Sequence, residues 1–287
     1  MNSQRSRIVA LPLALALLAG ACGGDSETKG SGSGASADVE KTVRASLEAE
    51  NEKDVDAFLA LWTDKGLESY DQGSREDIKS GKSPGFGENK LELLEFSDTK
   101  ATGTKATTVV DVAPTEFKVA KPLYRATFAL IEKNDKWLID GFDFKGSPPA
   151  PDGTKVIDIK AQDYAFLLGT TEVSGDVAFK FDNVGKEQHE LTMYKGPDGV
   201  DIKTAKAALE NVDGSELKDI PDGYKVDHIS FADVGQKLDV TFAEKLKPGT
   251  YVLACYIPQG GFGDDGPVNP EGAPHIKLGM INTLTIK

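Results

Sequence analysis

The sequence predicts two domains, an α+β module followed by an all-β sandwich, and three observations carry that expectation. Apolar residues recur at helical spacing only near the start: Val39, Val43 and Leu47, then Val55, Phe58, Leu59 and Trp62 at i, i+3, i+4 and i+7. From Leu91 onward the apolar period falls to two, the signature of half-buried strands. Between the two regions, Gly-Ser-Pro-Pro-Ala-Pro-Asp-Gly at 146–153 interrupts any regular structure. These boundaries give a first domain over 38–145, a linker over 146–154 and a second domain over 155–287.

In the first domain a helix is expected over Asp38–Asn51 and another through Trp62, with Ser74-Arg75-Glu76-Asp77 capping a short third one. Strands follow over Leu91–Phe96, Thr107–Val112, Leu123–Ile131 and Trp137–Phe144, the last two joined around Asn134-Asp135 as a hairpin. Helices followed by a curved meander, ending Trp137-Leu138-Ile139-Asp140-Gly141-Phe142, resemble the nuclear transport factor 2-like cone. That resemblance implies a pocket for a small ligand but no activity. The domain holds no His and no Cys, and no spacing singles out Tyr70, Tyr124, Asp140 or Asp143 for catalysis. No catalytic residue is assigned.

The second domain reads as an antiparallel sandwich. Val177, Phe179 and Phe181 face one way and Ala178, Lys180 and Asp182 the other, and Leu238, Val240 and Phe242 repeat the pattern. By the same parity His189 shares a face with Leu191 and Met193, Cys255 with Tyr251 and Leu253, and Met280 with Leu284 and Ile286. A short helix is expected over Thr204–Val212, within a long excursion from 195 to 230.

The whole chain has three His and two Cys, and the second domain gathers most of them. A thiolate, two imidazoles and a weak thioether are the donors of a mononuclear electron-transfer copper, because soft sulfur suits Cu(I) and imidazole suits both oxidation states. His189, Cys255, His275 and Met280 are the candidates. His228 has no partner in sequence and is expected to be structural or exposed.

Gly249-Thr250-Tyr251 with Cys255, then Pro274-His275, Gly279-Met280 and a last strand at 281–286, resemble the late segment of the cupredoxins, plastocyanin above all. Asn183-Val184-Gly185 leading to His189 is similar to that family's upstream segment. The resemblance implies a Greek-key sandwich holding one type 1-like copper ion on those four residues, and a carrier that is not an enzyme. It departs from the family at one point, since nineteen residues, 256–274, separate Cys255 from His275. This insertion is rich in Gly, Pro, Asn and Asp, so it reads as loop. Doubling a loop costs only about 0.6 kcal/mol of closure entropy. A looser site is the expected consequence, with the loop serving as a lid or a docking surface.

Arg5 and Arg7 precede an apolar run from Ile8 to Ala19 and then Gly20-Ala21-Cys22, which reads as an export signal over 1–21. Leu18-Ala19-Gly20-Ala21-Cys22 resembles a bacterial lipoprotein cleavage box, implying lipidation of Cys22 and an extracytoplasmic, periplasmic protein anchored to the membrane. The Gly/Ser-rich stretch over 22–37 reads as a flexible tether. The alternative is cleavage after Ala21 to release a soluble secreted protein. Lipidation would leave Cys255 without a disulfide partner, and an unpaired thiol in an oxidising compartment must be buried or metal-bound.

The full chain carries a net charge of −13. Loss of 1–21 removes two Arg and no acids, leaving 31 basic residues against 46 acidic ones, a net of −15. Such a balance argues against nucleic acid and anionic lipid surfaces as partners and favours solubility or a basic partner. No P-loop, dinucleotide fingerprint, nucleophile elbow or HExxH occurs. The expected function is one-electron transfer or copper handling with a redox or copper-exchange protein as partner. The rival is a metal-free lipoprotein that uses the sandwich as a scaffold for a ligand or partner.

Overall fold

The structure, a computed structural model, describes residues 33–70, 74–83, 86–87, 90–117, 121–212, 219–263, 266–269 and 271–287. The export signal, Cys22 and the tether as far as residue 32 lie outside these. The described chain is mostly β with a few helices, and it divides into two compact units. One holds residues up to Val112 with Arg125–Lys145, and the other holds Ala113–Tyr124 with Gly146–Lys287.

In the first unit α1 (Ser33–Glu52) buries Val39, Val43 and Leu47 as their spacing requires. It begins inside the expected tether: residues 33–37 are helical, since Ala35, Ser36 and Ala37 permit helix wherever the next turn is anchored. Asp54 caps α2 (Val55–Ala60), and Thr63 caps α3 (Asp64–Ser69) by accepting from the Gly66 amide. The sequence reading missed α3. Its Gly66 lies so close to the other wall of the unit that a Cβ would stand 2.4 Å from the Ile139 carbonyl oxygen. Ser74 and Asp77 form the expected capping box on α4 (Arg75–Lys79).

Strands β1 (Leu91–Thr102), β2 (Lys105–Pro114), β3 (Tyr124–Lys133) and β4 (Lys136–Gly146) pair in sequence order as a meander. Asn134 and Asp135 turn the last hairpin with φ of 51° and 57°, the left-handed pair of a type I′ turn. Asp140 ties Thr63 and Lys65 to β4, at 2.8 and 2.7 Å. Asp143 pairs with Lys145 on the surface.

Residues 113–124 group with the second unit, although the sequence pattern leaves them in the first. The cause is long-range backbone pairing: Leu123 donates to Thr241, Lys121 accepts from Ala243, and Pro122 bridges Phe242.

The second unit contains β5 (Lys155–Gln162), β6 (Ala165–Leu168), β7 (Glu172–Val173), β8 (Val177–Asn183), β9 (His189–Lys195), α5 (Ile202–Leu209), β10 (Lys225–Ala232), β11 (Lys237–Val240) and β12 (Gly249–Ala254). β13 (Phe262–Gly263), β14 (Gly266–Pro267), α6 (His275–Leu278) and β15 (Ile281–Ile286) complete it. Two sheets, β10-β9-β12-β15-β7 and β11-β8-β5-β6, enclose one core. The expected parity holds within it, since Phe179, Phe181, Leu191, Met193, Tyr251, Leu253, Cys255, Met280 and Leu284 all belong to that core.

Two expectations are corrected. The sheets are mixed, because β5 runs parallel to β8 and β7 parallel to β15. Alternation fixes which face a residue takes but not the direction of the neighbouring strand. Strands β9 and β12 are also buried on both faces rather than one. Helix α5, from the 195–230 excursion, lays Ala205 and Leu209 against Tyr194, Val252 and Ala254 on the outer side.

Candidate metal centre

Three of the four expected ligands meet at one end of the sandwich. His189 opens β9, Cys255 follows β12 directly, and His275 opens α6. All three side chains are buried, with one donor atom from each within 4.8 Å of the others. The His189 and His275 Nδ1 atoms stand 3.2 Å apart, and Cys255 Sγ lies 3.5 Å from His275 Nδ1.

Backbone chemistry places each of them. Asn183 Nδ2 donates to the carbonyls of Glu187 and Ala232, and its Oδ1 accepts from the Gly185 amide. That network shapes the approach to His189. Gly185 is obligatory there, because a Cβ would stand 2.6 Å from His189 Nε2 and from Asp163 Oδ1. Cys255 Sγ accepts the Glu190 amide at 3.2 Å, which orients the sulfur from the neighbouring strand.

The 256–274 insertion is closed at its neck, contrary to the loose site its length suggested. His275 N donates to Ile257 O at 3.0 Å, Ile276 N to Cys255 O at 2.7 Å, and Gln259 N to Ala273 O at 3.1 Å. These bonds fix His275 relative to Cys255 as a short loop would. Gly279, at a φ of 116°, then ends α6 in the left-handed conformation and returns the chain to Met280. Met280 N donates to His275 O, its carbonyl accepts from Cys255 N, and its side chain packs in the same core as Cys255.

His228 is buried on β10, with Nε2 against Ser230 Oγ and its ring against Phe242. It takes no part in the cluster.

Electrostatics suit the cluster to a cation. Burial, then the neighbouring His275, lower the His189 pKa to about 4, and burial likewise lowers that of His275. Both imidazoles are therefore neutral at pH 7 and each has a lone pair to offer. Burial, and then the Glu190 carboxyl, push the Cys255 thiol well above its ordinary range. The thiolate is thus disfavoured without a positive partner, and a coordinated metal supplies one.

Spacing agrees. Imidazole nitrogens held about 2.0 Å from a common small divalent ion lie roughly 3.2 Å apart, which is the separation of the two Nδ1 atoms. The donor set, one soft thiol with two imidazoles, is compatible with copper.

Sequence reasoning missed Asp163, Tyr164 and Glu187. Asp163 Oδ1 is 3.6 Å from His189 Nε2, and Glu187 Oε2 is 3.0 Å from His275 Nε2. Asp163 and Tyr164 come from elsewhere in the chain, and Glu187, although two residues before His189, meets His275 only across 88 residues.

No protein-family model matches this chain, and no curated protein matches it. Among solved structures, auracyanin B is similar at 21% identity over 50% of this chain and 95% of its own, with a TM-score of 0.30. Auracyanin A, described as a "blue" copper protein from Chloroflexus aurantiacus, is similar at 19% identity over 47% of this chain and 100% of its own, also at 0.30. An NTF-2 like protein of unknown function from Shewanella oneidensis is similar at 14% identity, covering 38% of this chain and 98% of its own, again at 0.30. Likenesses at that TM-score carry no weight, so the centre stands on its own distances.

Proposed function

We propose that His189, Cys255 and His275 of the second unit would hold one copper ion, with Met280 as a weak further donor, and that the protein transfers single electrons or handles copper. The observation that supports this is the meeting of two imidazole Nδ1 atoms and a thiol in a fully buried cluster. Bound copper would supply a one-electron couple. The chain's own part is to fix the donors in place before binding: the Glu190 amide on the sulfur, the closed neck behind His275, and the cradle at Gly185. A site fixed in this way reorganises little between oxidation states, which suits a carrier and not an enzyme.

The same reading places the protein outside the cytoplasmic membrane, anchored through Cys22. Its support is the export signal and cleavage box in the sequence. Fatty-acid labelling that disappears in Cys22→Ala tests the anchor, and wild type released unlabelled would contradict it.

Competition titration tests the metal. One copper per chain is expected, with affinity lowered in His275→Ala by the loss of a donor and unchanged in His228→Ala, whose ring serves the core. Equal affinities in wild type and His275→Ala would remove that ligand. One observation favours the rival: Phe262 and Val268, on the 256–274 loop, are 47% and 65% exposed, as a partner-docking loop would have them. Partner binding that ignores copper and fails in Phe262→Ser would favour that second reading.

A further inference from the structure

We propose that Glu187 is the positioning residue of this centre: its carboxylate turns His275 Nδ1 inward and holds Gln259 and Gly260 of the insertion beside that imidazole. The inference rests on the reading of His275 as a ligand and deepens it.

Three elements far apart in sequence converge on this one side chain. Glu187 Oε2 lies 3.0 Å from His275 Nε2 and accepts the Gly260 amide of the insertion at 2.7 Å. Oε1 accepts the Tyr164 hydroxyl at 3.1 Å, and that hydroxyl in turn accepts from Gln259 Nε2 at 2.9 Å. The Tyr164 ring stands edge-on to His275, with centroids 5.1 Å apart. His275 is thereby fully buried although it borders a long surface loop.

The chemistry gives the direction of the effect. An ionised carboxylate only accepts, so the imidazole facing it must carry its proton on Nε2. The lone pair is then left on Nδ1, the atom beside Cys255 and His189. Partners of this kind set the tautomer of a ligating histidine, and removing one costs on the order of 10–100-fold in metal affinity. His189 has no equal support, because Asp163 stands 3.6 Å from its Nε2 and already accepts the Lys186 amide. A leucine at 187 removes the acceptor, so the His275 proton is better placed on Nδ1, where His189 Nδ1 at 3.2 Å accepts it and the donor is blocked. The contacts to Gly260 and Tyr164 do separate work, since they hold Gln259 and Gly260 in place beside His275.

Two variants of the full chain separate the two roles. The protein has three His, so nitrogen-15 NMR of the metal-free form resolves the tautomer of each. Wild type should show His275 protonated at Nε2, Glu187→Leu should move that proton to Nδ1, and Tyr164→Phe should leave it in place. Release of Cu(I) to a chelator gives the second readout. Glu187→Leu should lower affinity on the order of 10–100-fold. Tyr164→Phe should speed both uptake and release severalfold. An unchanged His275 tautomer and release rate in Glu187→Leu would overturn the inference while leaving the copper reading intact. If wild type takes up no copper, that reading fails, and the metal-free tautomer still decides what Glu187 does.

Discussion

Cys255→Ser should lower copper affinity by more than 100-fold, beyond the loss expected when a group that only orients a ligand is removed. Serine keeps the volume and can still accept the Glu190 amide that now reaches sulfur at 3.2 Å. The fold should therefore lose little, about 1–2 kcal/mol for burying a hydroxyl among apolar neighbours. What serine cannot supply is a soft anionic donor, since its hydroxyl does not ionise and matches Cu(I) poorly. Affinity and stability should thus separate. Equal copper affinity in Cys255→Ser and wild type would mean that the thiol is an ordinary buried core residue.

Glu50→Gln should stabilise the first unit by about 3 kcal/mol at pH 8 and by nothing near pH 4. Glu50 is 6% exposed and has the Tyr70 hydroxyl at 2.7 Å. Tyr70 itself packs against Trp62 and Phe142. Burial raises the Glu50 pKa to about 7, and the bonds from Tyr70 and the Gly87 backbone offset only part of that. A carboxyl whose folded pKa lies above its unfolded value keeps its proton in the folded state after the unfolded chain has lost it. Stability consequently falls as pH rises from about 4.5 to about 7, and glutamine removes that slope while still accepting from Tyr70. Both tryptophans, Trp62 and Trp137, lie in this unit, so tryptophan fluorescence during urea unfolding reports it alone. A stability difference equal at pH 4 and pH 8 would contradict the account.

Much of the centre was legible because strand parity is a local property. Leu191, Cys255 with Leu253, and Met280 with Leu284 could be assigned to one face from alternation, and the core contains them so, with His189 buried beside them at the start of β9. Gly185 and Asn183 belonged to the family resemblance, and their reason emerges only in three dimensions, where no Cβ fits beside His189. Alternation is silent about what lies across a gap in sequence. It could not show β5 running parallel to β8, α5 covering the outer face, or 113–124 joining the second unit. Helix α3 escaped because six residues with a central glycine give no periodic signal. Glu187 escaped for a different reason, since its partners lie 23, 73 and 88 residues away along the chain.

The most direct test of the central claim is the visible spectrum of the purified protein with one equivalent of Cu(II). A thiolate bound to Cu(II) beside two imidazoles gives an intense charge-transfer band toward the red end of the visible range. That band should appear in wild type, saturate at one copper per chain, and be missing from Cys255→Ser. A protein that takes up no copper, or a pale Cu(II) spectrum identical in wild type and Cys255→Ser, would contradict the assignment of His189, Cys255 and His275 as its ligands.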